Sequence, residues 1–308
     1  MTEPDVRAAT ERLLGTRLEP LAGGWSGETF LVDGPDGGQA VLRMFVRDPS
    51  RARVVVGLMR LVHGLLPVPR VVDARFGDEP GSPALVMTEL LPGKRLDLVL
   101  AKADDVLQER LGIAVAELAV LLAGMPFAAA GSLHGLELAV EPWGGGGGAG
   151  VLDDLVEHVL EAASDADVPL GRRGLLDAAD EAAELIDGVH RACLVHSDLN
   201  PKNVLVDPGS GTVTGLVDWE YAHAGAPVTD LGNLVRFGEH PVFERAVLAR
   251  FLDGAPGLPP EPLDTARAVD LISLLDLGVR QLRGAGNPVA RRALRRVQAI
   301  AVAGSVRS

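Results

Sequence analysis

The sequence predicts an α+β fold in two lobes, a small β-rich lobe over residues 1–92 and a larger helical lobe over residues 93–308. Three observations carry that prediction. Residues 17 to 89 alternate short apolar and β-branched runs with Gly and Pro turns, the pattern of strands. From Lys94 onward apolar residues recur at helical spacing. A second hairpin pattern, centred on Pro208-Gly209-Ser210-Gly211, interrupts those helices. No internal repeat is evident, and a chain of 308 residues allows one or two domains with ample core.

In chain order, Arg17 to Leu21 reads as a first strand, Ala22 to Glu28 as a glycine-rich loop, and Thr29 to Asp33 as a second strand. Glycines there let backbone N–H groups come close to phosphate oxygens. Gly34-Pro35-Asp36-Gly37-Gly38 turns the chain into a third strand, Gln39 to Met44. Pairing around that turn sets Arg43 opposite Thr29, beside the glycine loop. Ser50 to Gly64 is a helix without a single Asp or Glu, closed by Pro67-Val68-Pro69 because Pro cannot continue it. Val71 to Phe76 and Ala84 to Glu89 are further strands, and Leu90-Leu91-Pro92-Gly93 reads as a hinge between lobes. Asp104 to Met125 then carries Leu107, Leu111, Ala114, Leu118 and Leu121 in helical register. Residues 126–150 break that helix and end in Gly144 to Gly148, a low-complexity loop expected to be flexible. Helices are expected again at Val151–Ala163, Arg172–Arg191, Pro241–Leu252, Asp264–Arg283 and Pro288–Val302.

The densest chemical signal is His196-Ser197-Asp198-Leu199-Asn200-Pro201-Lys202-Asn203, which reads H-x-D-x-x-x-x-N. Transfer of a phosphoryl group to a hydroxyl needs a carboxylate beside the hydroxyl to take its proton. It also needs an oxygen ligand for the Mg²⁺ that neutralises the phosphates. Asp198 fits the first part and Asn203 the second. Three fixed residues match by accident at about one position in several thousand, so the surroundings must decide. They agree: Val204 to Val206 and Thr212 to Val217 read as a hairpin, and its pairing brings Asn203 beside Asp218. An amide and a carboxylate at the open end of one hairpin make a hard-cation site with oxygen ligands. A cation that grips the phosphates completes such a site; kinases use a Lys paired with a helix Glu. The lysines here are Lys94, Lys102 and Lys202, so the position falls to Arg43, whose fork holds phosphate oxygens bidentately. The helix carboxylate has no counterpart, and Asp48 is the nearest, poorly placed, substitute.

His196-Ser197-Asp198…Asn203 followed by Val217-Asp218-Trp219-Glu220 resembles the aminoglycoside phosphotransferase and choline kinase-like family of small-molecule kinases, with a protein-kinase-like fold. Ser197 stands where that family often has Gly. The resemblance covers nearly the whole chain. It implies that Asp198 is catalytic, that Asn203 and Asp218 hold Mg²⁺, and that Asp230, in Asp230-Leu231-Gly232-Asn233, braces the catalytic loop from below. His196 takes a structural part in holding that loop. The resemblance also reads Gly24, Ser26, Gly27 and Thr29 as the family's shorter phosphate loop. The backbone from Glu89 to Leu91 would meet the adenine edge, with Met87 flanking its pocket, and the active site would lie in the cleft between lobes. ATP or GTP with Mg²⁺ are the implied cofactors.

Composition narrows the partners. A net charge of −13 disfavours nucleic acid and leaves room for a cationic acceptor. No run is apolar and long enough to span a membrane, and the first residues lack the basic and apolar segments of a signal peptide. The single Cys193 suits a reducing cytosol, so a cytoplasmic protein, monomeric or homodimeric, is expected. Asp153, Asp154 and Glu157 on one predicted helix, with Asp270 and Asp276, are candidates to line a pocket for a polycation such as an aminoglycoside or a basic peptide antibiotic. Phosphorylation would inactivate such an antibiotic and confer resistance. Macrolides and metabolites of the homoserine, fructosamine or choline type stay open as acceptors. A nucleotide-binding pseudokinase is the non-enzymatic alternative, disfavoured because Asp198, Asn203 and Asp218 are all present.

Overall fold

The computed structural model describes residues 3–15, 17–21, 29–35, 37–78, 83–143 and 149–307. In chain order its elements are α1 (Glu3–Leu14), β1 (Glu19–Pro20), β2 (Thr29–Asp33), β3 (Gln39–Met44), α2 (Arg51–Val62), β4 (Val71–Phe76), β5 (Ala84–Glu89), β6 (Lys94–Arg95), α3 (Leu96–Leu100) and α4 (Asp105–Ala123). Then come β7 (Pro126–Phe127), β8 (Gly131–His134), β9 (Ala139–Pro142), α5 (Ala149–Asp165), α6 (Arg172–Asp187), β10 (Ala192–Val195), β11 (Val204–Val206) and β12 (Val213–Leu216). The chain ends through β13 (His223–Gly225), α7 (Thr229–Val235), α8 (Pro241–Gly254), α9 (Pro262–Leu282) and α10 (Pro288–Ala303). The expected helix over Arg172–Arg191 stops at Asp187 on the Gly188 cap. The N-terminal helix α1 is not expected from apolar periodicity, because polar residues interrupt its stripe.

Two compact units form, and both are discontinuous in sequence where the sequence reading has one break at 92/93. The first gathers Met1–Ala103, Leu133–Glu141 and Pro201–Ala222, and the second Asp104–Ser132, Pro142–Asn200 and His223–Ser308.

The first unit is built on an antiparallel sheet of order β1-β2-β3-β5-β4. Alternation along β2 and β3 sends Phe30, Val32, Ala40, Leu42 and Met44 inward, where they pack with Leu18, Leu85 and Met87. β2 and β3 pair with Thr29 opposite Arg43, the register expected from the turn. A second, smaller sheet of order β12-β11-β6 carries the hairpin after the catalytic loop. Gly93 lies at its edge with φ +119°, where a Cβ would collide with Thr214 Oγ1. Only glycine tolerates both the conformation and the contact.

The second unit is helical around a core shared by α5, α6, α9 and α10, with Leu152, Val156, Leu175, Leu271, Leu275 and Val297 buried in it. Two of its helices begin on side-chain caps. Asp104 accepts the Leu107 N–H at 2.9 Å at the start of α4. Asn287 accepts the N–H groups of Val289 and Ala290 ahead of Pro288 at the start of α10. Phe243 and Phe251 of α8 are fully buried, each contributing about 2–3 kcal/mol by leaving water. No helix among the described residues is long and apolar enough to cross a membrane.

Candidate active site

Strand β10 positions the catalytic loop. It pairs with β13 in antiparallel register, Val195 opposite His223, and Cys193, Leu194 and Val195 are buried. The chain leaves the strand at His196, itself fully buried, and turns at Ser197 with φ 65°. That left-handed conformation explains why Gly is the residue the motif favours at this position and why Ser here carries strain. Asp230, in the first turn of α7, accepts the backbone N–H groups of His196 and Ser197, each at 2.9 Å. Burial pushes its carboxyl up to about 6, against the pull of those two donors, with the nearby charge of Asp198 raising it further.

Asp198 is half-buried. Asn200 Nδ2 donates to its Oδ1 at 2.7 Å, and the Asn200 N–H donates to its carbonyl at 2.9 Å. The loop therefore presents a carboxylate fixed from both its side-chain and backbone ends. Arg236, at the end of α7, is buried and clamped by Asp270 of α9, Nη2 to Oδ1 2.6 Å and Nε to Oδ2 2.9 Å. Burial lowers its proton affinity, but Asp270 first and Asp198 in smaller part raise it above the ordinary arginine value. Asn233 adds a bond from Nδ2 to Asp270 Oδ1 at 3.1 Å.

In the other unit, Asn203 sits at the root of β11, nearly buried, and its carbonyl accepts the Val217 N–H at 2.9 Å. The hairpin register, Val204 opposite Leu216, thus leaves Asp218 as the next residue out from the Asn203–Val217 pair. Asp218 adopts φ 71° and ψ 60° and opens a 3₁₀ turn over Trp219–Tyr221. Trp219 anchors that turn: it is buried and its indole N–H donates to Leu216 O at 3.2 Å. Arg51 of α2 donates from Nη2 to Ala222 O at 3.0 Å at the far end of the turn.

Arg43 meets this turn with both arms. Its Nη1 lies 2.5 Å from Asp218 Oδ1 and its Nη2 2.7 Å from Glu220 Oε2. Burial alone would lower the guanidinium's proton affinity; the two carboxylates outweigh it and raise it. Asp48 is not the partner: its Oδ1 accepts from Ser50 N and Oγ just ahead of α2.

The remaining expected site residues fall as follows. Gly24, Ser26 and Gly27 lie outside the described residues. Thr29 is in place opposite Arg43. Met87 is buried in the sheet core, Glu89 holds Arg70 through its side chain, and Leu91 is half-buried beside Gly215. Asp153, Asp154 and Glu157 share the exposed face of α5, Glu157 paired with Arg172 at 2.5 Å. Asp276 is half-buried and paired with Arg280 one turn on. Asp270 is 5% exposed and bonded to Arg236 and Asn233, where it ties α7 to α9. Glu220, Asn200, Arg51 and Arg236 escape sequence reasoning. The Glu of the Asp-Trp-Glu turn carried the available signal for the first of these.

A family model described as the phosphotransferase enzyme family matches residues 17–262. The chain belongs to that family. It is a small-molecule kinase. No curated protein matches it. Among solved structures it is similar to a thermostable mutant of aminoglycoside phosphotransferase APH(4)-Ia in its apo form, at 22% identity with a TM-score of 0.69, covering 97% of this chain and 99% of that one. The GDP complex of a point mutant of an aminoglycoside 2'-phosphotransferase of type IIIa gives a TM-score of 0.69 at 17% identity, covering 99% and 100%. A protein from Ralstonia eutropha JMP134 described as an aminoglycoside phosphotransferase gives 0.61 at 15%, covering 96% of both chains. These likenesses establish the shared α+β fold, with a β-sheet N-terminal region and a helical C-terminal part.

Proposed function

We propose that this kinase transfers the γ-phosphoryl group of ATP or GTP to one hydroxyl of a cationic antibiotic, an aminoglycoside by preference. The observation that carries the chemistry is the catalytic loop itself. Asp198 is held by Asn200 on a loop whose backbone is pinned by Asp230. Its carboxylate is the group that orients the acceptor hydroxyl and takes its proton. The acceptor oxygen bonds to the γ-phosphorus, the bond from that phosphorus to the bridging oxygen breaks, and the nucleoside diphosphate leaves. Arg43 would offer Nε, unpartnered among the described residues, to a phosphate oxygen while Asp218 and Glu220 hold its two Nη groups.

The donor set suits Mg²⁺. Among the described residues no group of three or more His, Cys, Asp or Glu forms a cage. A carboxylate and an amide oxygen at one hairpin end are what this ion accepts when substrate phosphates and water complete its shell. Asn203 and Asp218 would hold it, and it would supply neutralisation of the phosphate charge. Support for the acceptor class comes from the net charge of −13 and from the neighbours. Their descriptions include ternary complexes of APH(4)-Ia mutants with hygromycin B and ADP or AMP-PNP, and APH(2")-IIa with gentamicin or with streptomycin and ATP. The test is a nucleotide-consumption assay with ATP and GTP against aminoglycosides, basic peptides, macrolides and hydroxylated metabolites. Turnover dependent on an aminoglycoside supports the reading; turnover only with a neutral metabolite replaces the acceptor and leaves the kinase.

A further inference from the structure

Protein kinases orient their phosphate-binding cation with a carboxylate from the helix that follows it. Here α2 contains none, yet the cation is not loose. Both Nη atoms of Arg43 are taken by carboxylates of one turn, Asp218 at 2.5 Å and Glu220 at 2.7 Å. We propose that Glu220 is the positioning residue for Arg43, taking the part of the missing helix carboxylate, while Asp218 is shared between Arg43 and an incoming divalent cation. The inference rests on the phosphotransferase reading and deepens it.

Three observations support the division of labour. First, Asp218 and Glu220 set two carboxylates against the Arg43 guanidinium, with the Arg51 charge acting on Glu220 and not on Asp218. A cation arriving at Asp218 is therefore attracted, and Glu220 alone still neutralises Arg43. Second, the support under Glu220 is fixed: Trp219 is buried and bonded to Leu216 O, and Arg51 holds Ala222 O. A carboxylate on such a turn sets the direction of the guanidinium instead of following it. Third, Arg43 Nε is buried and has no hydrogen-bond partner among the described residues. Such an N–H can take an acceptor oxygen, and a nucleotide phosphate carries such oxygens.

The experiment measures binding without turnover. ATP and GTP are each titrated by calorimetry into the wild type, Glu220→Gln, Glu220→Asp, Arg43→Met and the Glu220→Gln/Arg43→Met double variant, once in EDTA and once across Mg²⁺ concentrations. Glu220→Gln is expected to weaken nucleotide binding about tenfold in EDTA, a loss of about 1.4 kcal/mol, with Glu220→Asp retaining most of the affinity. The Mg²⁺ concentration for half-maximal enhancement should stay within about twofold of wild type, and in the Arg43→Met background the glutamate substitution should have no further effect. Unchanged affinity in EDTA with a raised Mg²⁺ requirement would make Glu220 a metal ligand and overturn the proposal, as would additive effects of the two substitutions. A wild type that binds neither nucleotide overturns the phosphotransferase reading itself, a different and separable failure.

Discussion

Ser197 concentrates the local logic of the catalytic loop. Its φ of 65° is a conformation that L side chains enter at a cost of about 1–2 kcal/mol, and the loop keeps it because Asp230 ties down the N–H groups of His196 and Ser197. Ser197→Gly is expected to retain activity and to gain up to about 1 kcal/mol of stability. The β-branched Ser197→Val should lower kcat while nucleotide affinity is kept; melts and steady-state kinetics read both. Asp230 makes a pH prediction. Its folded carboxyl sits at about 6, above the ordinary carboxylate value, so between about pH 4 and 6 the native state binds more protons than the unfolded chain. Stability contributed by this group is thus present at low pH and falls as pH rises to about 6, by at most roughly 3 kcal/mol. Urea unfolding of wild type and Asp230→Asn is compared at about 1.5 pH units below and above the folded value. The pH slope should shrink in the variant, although the variant loses stability overall; an unchanged slope would assign the titration elsewhere. The loop residues His196, Asp198 and Asn203 were legible because their spacing is chemical. Glu220's pairing with Arg43 was not, since it joins positions far apart in sequence and leaves no periodicity.

At the scale of elements, α7 on α9 is the contact most exposed to test. Gly232 lets the two helices approach so closely that a Cβ there would lie 2.5 Å from Ala266 O, and the Arg236–Asp270 pair is buried beside it. Asp270→Ala should cost about 3–5 kcal/mol, because it strands a buried guanidinium. Thermal unfolding measures that loss, and a fully stable variant with a raised acceptor KM would restore Asp270 to the substrate pocket. The long helices α4, α5, α6, α8, α9 and α10 and the strands β2 to β5 could be read from the sequence, because apolar periodicity and turn residues are local signals. The short strands β6 to β10 and β13 could not: two to four residues carry too little pattern, and their pairing is long-range. For the same reason the sequence offers Asp270 as a pocket-lining candidate and gives no sign of its pairing with Arg236.

At the scale of the whole molecule, the charge of −13 and the exposed acids of α5 bear on the acceptor. Under the cationic-acceptor proposal, acceptor KM should rise with ionic strength, since exposed charges are screened within about 8–10 Å near physiological salt. Neutralising Asp153 and Asp154 together should raise KM more than it lowers kcat, the mark of binding shared by ground and transition states. A KM indifferent to salt and to both substitutions would point to a neutral acceptor. The two compact units, each gathered from separated stretches of chain, were beyond the reach of a sequence reading that places boundaries by composition shifts along the chain.

Phosphoryl transfer through Asp198 is followed by mass spectrometry, which traces the γ-phosphoryl group of ATP and of GTP into an aminoglycoside panel. Wild type should yield an acceptor carrying one added phosphoryl group. Asp198→Ala should bind nucleotide with unchanged affinity but transfer about 10²–10⁴-fold more slowly. Transfer by the variant at the wild-type rate, or a wild type that binds nucleotide and phosphorylates no hydroxyl in any acceptor class, would contradict the account.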